Sequence, residues 1–337
     1  MTIKKFNIVC TPGAGHYAPL FALSLRKWSD CSFRLVANGC PLAEIRLLQQ
    51  FCKKNPRFEF FALPVKTMIP HGQALSYLQS QERSDTFCFM DSDILATGEF
   101  LDKLAPRLGQ YAGVFSGSPV WLEDEEKVIP AAFQEMAGRY SRTDENICLG
   151  SSYFAMYDNR ALTQTIQATG ICLNRYEWAD IPTRYQDQLV QMGLRKGGYD
   201  TAKLLNLLLL DQGERLLFLE SPTLQHVGGI STVATDYSSL AFQVRVFLSQ
   251  LSVFKRVPMP SPWRKSMRVP TAELLAMRQV RQKKIKTCRY VDKLLRALFG
   301  ERLLPAALNF DDPQTSERIE RLTAHIITLY EEFREQL

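Results

Sequence analysis

Asp91-Ser92-Asp93 follows directly on the apolar run Thr86–Met90. A buried strand ending in two carboxylates one residue apart is a poor structural element, because isolated burial of either charge costs several kcal/mol. The cost disappears if the strand ends at a cleft and the carboxylates hold a divalent cation. Hard oxygen ligands suit Mg²⁺ or Mn²⁺, whose coordination is usually completed by water and a substrate diphosphate. In a chain of this length such a triplet arises by chance about once at ordinary Asp usage. Its place at the carboxyl end of an apolar strand is therefore the informative part, since α/β sheets bind ligands there.

Three further features carry polar chemistry. His226 ends the strand-like TLQH and precedes Gly228-Gly229. A lone histidine is more often a satisfied structural residue, but imidazole is also a common metal ligand. Asp200 opens a leucine-rich segment and reads either as a helix cap or as an acid facing the cleft. Gly150-Ser151-Ser152 precedes a strand and could line a sugar pocket.

The elements that must position these residues alternate. FNIVC (6–10), FRLVAN (33–38), FEFFAL (58–63), the Asp-x-Asp strand and YAGVFSG (111–117) read as strands. Helical spacing predicts helices over 18–28, 41–55, 72–81, 99–108 and 199–213. Strands alternating with helices predict an α/β fold with an open, mostly parallel sheet. The pattern breaks over 118–149 and becomes helical beyond about residue 235. The expected organisation is a 1–235 catalytic domain and a 236–337 helical extension.

The composition, 46% hydrophobic and 23% charged, is that of an ordinary globular protein. No apolar run reaches the roughly 18 residues of a spanning helix, and MTIKKFNIVC lacks a signal-peptide core. The expected location is cytoplasmic. Eight cysteines at 10, 31, 40, 52, 88, 148, 172 and 288 include no Cys-x-x-Cys pair, so reduced core thiols are expected. Residues 255–290 hold eleven Lys or Arg against Glu273 alone, a net of +10. The whole chain is +6, so the remainder is −4. With the amphipathic VDKLLRALF that follows, the basic segment suits peripheral contact of 255–299 with an anionic inner membrane face or an acidic glycan. No aromatic-basic strand motif supports nucleic-acid binding.

Taken in order, these elements across residues 5–230 resemble the GT-A glycosyltransferases, most closely the bacterial inverting, family-2-type enzymes. Asp91-Ser92-Asp93 is similar to that family's Asp-x-Asp motif. HGQAL (71–75) resembles the helix start ahead of that strand, and LGSSYFAMY the Gly-rich donor-sugar strand. Asp200 stands at the second acid of the Glu-Asp catalytic pair; Leu204–Leu210, Gly213, LLFL, Pro222 and His226 follow in the family's order. Departures are Tyr199 in place of the first acid, Asn206 in place of the helix arginine, and no acid after the second strand.

The resemblance implies a Mn²⁺- or Mg²⁺-dependent transfer from a nucleoside-diphosphate sugar, a UDP-sugar being favoured, to a glycan or lipid-linked hydroxyl acceptor. It implies Asp91, Asp93 and His226 at the metal, with Asp91 also reaching the ribose or a metal-bound water. It places Thr11, Asn38, His71, Asp91, Ser92, Gly150 and Ser151 around the donor and makes Asp200 the general base, with inversion at the anomeric carbon. Trp121 and Trp178 are candidate acceptor-stacking residues, and His16-Tyr17 could stack on the base. Pairing of chains through the C-terminal helices is a further expectation. Alternatives are a retaining GT-A enzyme, a sugar nucleotidyltransferase, and a non-catalytic nucleotide- or carbohydrate-binding protein. The nucleotidyltransferase needs a basic phosphate loop after the first strand, and TPGAGHY has no Lys or Arg.

Overall fold

Phe6, Ile8 and Cys10 of β1 (Lys5–Cys10) point into one core and Val9 into another, so both faces of this strand are buried. That is why it reads as a continuous apolar run rather than an alternating one. The structure is a computed structural model that describes residues 3, 5–117, 119–122, 128–129, 142–143, 150, 153–194, 197–230, 271–300 and 303–337. Ser151, Cys148, the expected boundary near 235 and the basic stretch 255–270 lie outside the described residues.

Seven strands form the central sheet in the order β10-β6-β9-β4-β1-β2-β3. These are β1, β2 (Ser32–Ala37), β3 (Phe58–Ala62), β4 (Thr86–Asp91), β6 (Gly113–Phe115), β9 (Phe154–Asp158) and β10 (Leu216–Phe218). Only β9 runs antiparallel to its neighbours β4 and β6. The α/β class with a mostly parallel sheet is thus present. Phe6 ties three strands together, its ring 6.2 Å from Phe33 and 5.4 Å from Phe154. The chain leaves β1 toward β2 on one side, while β4 pairs with β1 on the other. The carboxyl ends of β1 and β4 therefore flank a switch point of the kind at which open α/β sheets bind ligands.

A second, two-stranded ladder joins β5 (Ile94–Ala96) to β11 (Leu224–His226). The remaining strands, β7 (Val128–Ile129) and β8 (Arg142–Thr143), pair with each other.

Helices cover both faces of the sheet. On one side lie α1 (Ala18–Lys27), α2 (Leu42–Lys54), α7 (Thr271–Phe299) and α8 (Pro313–Phe333); on the other lie α3 (His71–Gln81), α4 (Asn159–Thr169), α5 (Thr183–Gln191) and α6 (Lys203–Asp211). The C-terminal helices do not stand apart. Val291, Leu294, Ile319, Leu322 and Ile326 share one core with Phe21 and Leu25 of α1. No described helix is long and apolar enough to cross a membrane. Seven cysteines are described, all free and all but Cys172 buried. Burial pushes the Cys10, Cys40 and Cys88 thiols up, which keeps them protonated.

Two helix expectations are corrected. Residues 99–108 form turns ending in one short 3-10 turn, Ala105–Arg107. Pro106 has no N–H to give a helix interior, and its ring would strike the carbonyl one turn back. The helix expected over 199–213 starts at Lys203. Thr201 donates its N–H to Asp200 Oδ1 at 2.8 Å, and Ala202 sits at φ +65°. That turn holds the chain out of helix, so Asp200 is not the capping residue.

Candidate functional site

The alternation of β4 aims its last residue. Phe87 and Phe89 face the core beneath α3, while Cys88 and Met90 face the opposite core. Asp91 continues the Phe87–Phe89 row and so points toward the start of α3. There His71 Nε2 lies 3.7 Å from Asp91 Oδ1. The His71 ring meets Phe89 edge-on, with centroids 6.1 Å apart, so the strand below also orients it.

Beyond Asp91 the chain turns into β5, whose ladder returns His226 opposite Ile94. His226 Nε2 then stands 3.2 Å from Asp93 Oδ1 and 3.5 Å from Asp91 Oδ2. Gly228 and Gly229 follow at φ +75° and +119°, where side chains are strained. This double turn lets the N–H groups of Gly229 and Ile230 donate to Asp93 Oδ2 at 2.6 and 3.1 Å. Asp93 thus divides its oxygens, one toward His226 and one toward two backbone amides. Ser92 is buried, its hydroxyl 3.3 Å from the Tyr17 hydroxyl.

Burial opposes charge on both members of the Asp93–His226 pair, and their mutual attraction overrides it. The Asp93 carboxyl is held below the usual carboxylate range by His226 and by the two amides. The His226 imidazole is raised above its usual range by Asp93 and then Asp91. Yet neither ring nitrogen of this fully buried histidine has a well-aligned hydrogen bond among the described residues. Nε2 points between two carboxylates instead of at either one. Ligand atoms of Asp91, Asp93 and His226 all lie within 4.8 Å of one another. Donor atoms that converge on a common point, two oxygens and an imidazole nitrogen, fit Mn²⁺ or Mg²⁺.

The other expected donor residues are distributed along the same sheet edge. Thr11 follows β1, and its carbonyl accepts the Ala14 N–H at 2.9 Å. Asn38 follows β2 and is fully buried; its side chain donates to the Ile69 carbonyl at 2.8 Å and accepts the Ile69 N–H at 3.0 Å. Gly150 lies against α6, where Lys203 Nζ donates to its carbonyl. A side chain at Gly150 would collide with Asn206 Nδ2. Asn206, at the position of the expected arginine, is buried and accepts the Tyr157 hydroxyl at 2.8 Å. Asp200 is part-buried in the turn ahead of α6 and is not among the converging ligand atoms.

Two aromatic expectations are corrected. Trp121 is 3% exposed and donates its Nε1–H to the Val227 carbonyl at 2.8 Å. It is a wall of the His226 loop and cannot stack on an acceptor. Tyr17 is fully buried beneath Ser92 and cannot stack on a base. Trp178 packs part-buried on the α3–α6 side. Sequence reasoning missed Lys203, Tyr153 and Glu44. Lys203 is fully buried, and a lysine inside AKLLNLLLL was a readable signal. The Tyr153 ring packs against His226, tilted by 46° with centroids 4.4 Å apart. Glu44 closes the loop after β1, accepting the Gly13 N–H at 2.9 Å and the Gly15 N–H at 3.1 Å.

No family model matches the chain, and no curated protein does. Among solved structures it is similar to the galactosyltransferase LgtC in complex with donor and acceptor sugar analogs, at 12% identity over 99% of this chain and 100% of that one, with a TM-score of 0.40. It is similar to the bifunctional glycosyltransferase WbbM at 12% identity and a TM-score of 0.39, over 65% of this chain and 39% of that chain. The apo-form glycosyltransferase GlyE of Streptococcus pneumoniae TIGR4 gives 12% identity and a TM-score of 0.36, over 74% and 51%. The chain thus spans about two fifths of WbbM and about half of the apo-form GlyE chain.

Proposed function

We propose that this chain is a metal-dependent glycosyltransferase of the GT-A type that moves a sugar from a nucleoside-diphosphate sugar to a hydroxyl acceptor, with inversion. The observation that carries the reading is the convergence of Asp91, Asp93 and His226 at the carboxyl edge of the sheet. Asp93 and His226 bind Mn²⁺ or Mg²⁺ directly, and Asp91 shares the ion or reaches the donor ribose. When bound, the ion neutralises charge developing on the leaving diphosphate. Gly229 and Ile230 amides hold the Asp93 carboxylate in its ionised, ligating form. His71 orients Asp91 from α3, and Thr11, Asn38, Ser92, Gly150 and Ser151 border the donor. Asp200 takes the proton from the acceptor hydroxyl as its oxygen attacks the anomeric carbon and the bond to the diphosphate breaks.

A UDP-sugar is the favoured donor and a glycan or lipid-linked precursor the acceptor, with the basic segment 255–299 meeting an anionic membrane. The loop after β1 weighs against a nucleotidyltransferase, because the Gly13 and Gly15 amides that a phosphate would need already bind the Glu44 carboxylate. The test is thermal stabilisation by nucleoside diphosphates with and without Mn²⁺. A Mn²⁺-dependent rise in Tm that Asp93→Ala abolishes supports the reading; equal stabilisation of both proteins removes the metal site from it.

A further inference from the structure

Helix α7 lays three residues of one face against the site. Lys284, Cys288 and Asp292 are four apart and share that face. The Cys288 thiol donates to the Gly228 carbonyl at 3.5 Å. Asp292 lies 3.4 Å from His16 Nε2 in the loop after β1. Lys284 reaches the turn that binds Asp93: its Nζ lies over the Trp121 ring, 5.9 Å from the centroid, and a Cβ at Gly229 would stand 3.0 Å from that Nζ and 2.6 Å from Cε. Gly229 thus supplies both a backbone at φ +119° and the clearance that admits the lysine.

The charges around it differ. Asp292 is engaged by Arg296 at 2.9 Å as well as by His16, and Lys203 is bound at Gly150. Lys284 is half-buried and forms no ion pair with an acid among the described residues. Lys284 thus places a positive charge beside the metal-ligand loop with no described acid paired to it, and an anion bound there would meet that charge. Asp91 and Asp93 together neutralise only a divalent cation, so a diphosphate bound to that cation brings uncompensated negative charge. We propose that Lys284, from the C-terminal helix, pairs with the diphosphate of the bound nucleotide. This rests on the nucleotide-sugar reading of the site and makes α7 a wall of that site.

The experiment is calorimetric titration of the full chain with Mn²⁺ alone, and at saturating Mn²⁺ with uridine, guanosine, cytidine and adenosine diphosphates and their parent nucleosides. Lys284→Met keeps the aliphatic stem over Trp121 and removes the charge; Lys284→Arg keeps the charge. For the diphosphate that wild type binds tightest, Lys284→Met is expected to raise Kd roughly tenfold or more, the worth of a charge-assisted hydrogen bond. It should leave Mn²⁺ and nucleoside affinities unchanged and flatten the salt dependence, while Lys284→Arg binds within a few-fold of wild type. An unchanged diphosphate Kd in Lys284→Met overturns the proposal, as does an equal loss for Mn²⁺, nucleoside and diphosphate, which marks a merely structural lysine. Wild type that binds no diphosphate with Mn²⁺ overturns the nucleotide-sugar reading itself, and this assignment with it.

Discussion

The Gly229 amide donates to Asp93 Oδ2 at 2.6 Å across 136 residues of chain. A side chain at 229 would meet Lys284 Cε at 2.6 Å and adopt φ +119°. Strain of this kind costs of order 1–3 kcal/mol. Gly229→Ala should therefore lower Tm and turn the amide off Asp93. Disturbing a partner that orients a metal ligand costs about 10–100-fold in metal affinity. Mn²⁺ titration should show that loss, and a variant with wild-type affinity would mean the amide does not orient Asp93.

The Asp93–His226 pair should shape the pH dependence of the metal-free protein. Asp93 is lowered from 3.8 to about 2, so its contribution to stability is present above pH 3.8 and is lost as pH falls toward 2. His226 is raised from 6.5 to about 9, so its contribution is complete below pH 6.5 and is lost as pH rises toward 9. The pair stabilises the fold most between about pH 4 and 6.5. In EDTA, the Tm difference between wild type and Asp93→Asn should be largest in that window and shrink on both sides. A difference that does not vary with pH would show that the pair is not ionised.

The site was legible in the sequence where it depended on short-range pattern. TFCFMD is a short continuous apolar run that ends in carboxylates, so both the strand and the exit of Asp91 at its end follow from the run itself. The partners brought by long-range pairing were less legible. His226 reaches Asp93 through the β5–β11 ladder, and nothing local to TLQH specifies that register. Trp121 looks like a surface aromatic until the Val227 carbonyl and Lys284 enclose it. Likewise Lys284 reads as one charge in a basic run, because only the packing of α7 distinguishes it from exposed Lys286. The shift of α6 to Lys203 comes from a backbone turn at Asp200–Ala202 that no residue type there announces.

That distinction among lysines alters the expected membrane behaviour. Lys286 and Lys293 are exposed on α7, whereas Lys284 faces the site. Reversing Lys286 and Lys293 to Glu should weaken co-sedimentation with phosphatidylserine vesicles. The effect should be larger at low salt, since exposed charge is screened within about 8 Å at physiological ionic strength. Lys284→Met alone should leave vesicle binding intact. Vesicle binding that ignores Lys286 and Lys293 would make these charges an ordinary solvated helix face.

Asp200 presents one carboxylate oxygen to its own Thr201 amide at 2.8 Å. Asp200→Asn keeps an oxygen for that bond and the size of the group but cannot accept a proton. If Asp200 is the base, donor and Mn²⁺ binding survive in the variant while turnover falls by roughly 10²–10⁴, the usual worth of a positioned base. The product of the wild-type enzyme should carry the anomeric configuration opposite to the donor, because one direct displacement inverts the carbon. Proton NMR of fresh product reads that configuration. Retention would replace the single displacement with a retaining mechanism, in which Asp200 need not take a proton. Near-normal turnover in Asp200→Asn would move the base to Asp180 or Asp187, which lie on the 3-10 turn Trp178–Asp180 and on α5.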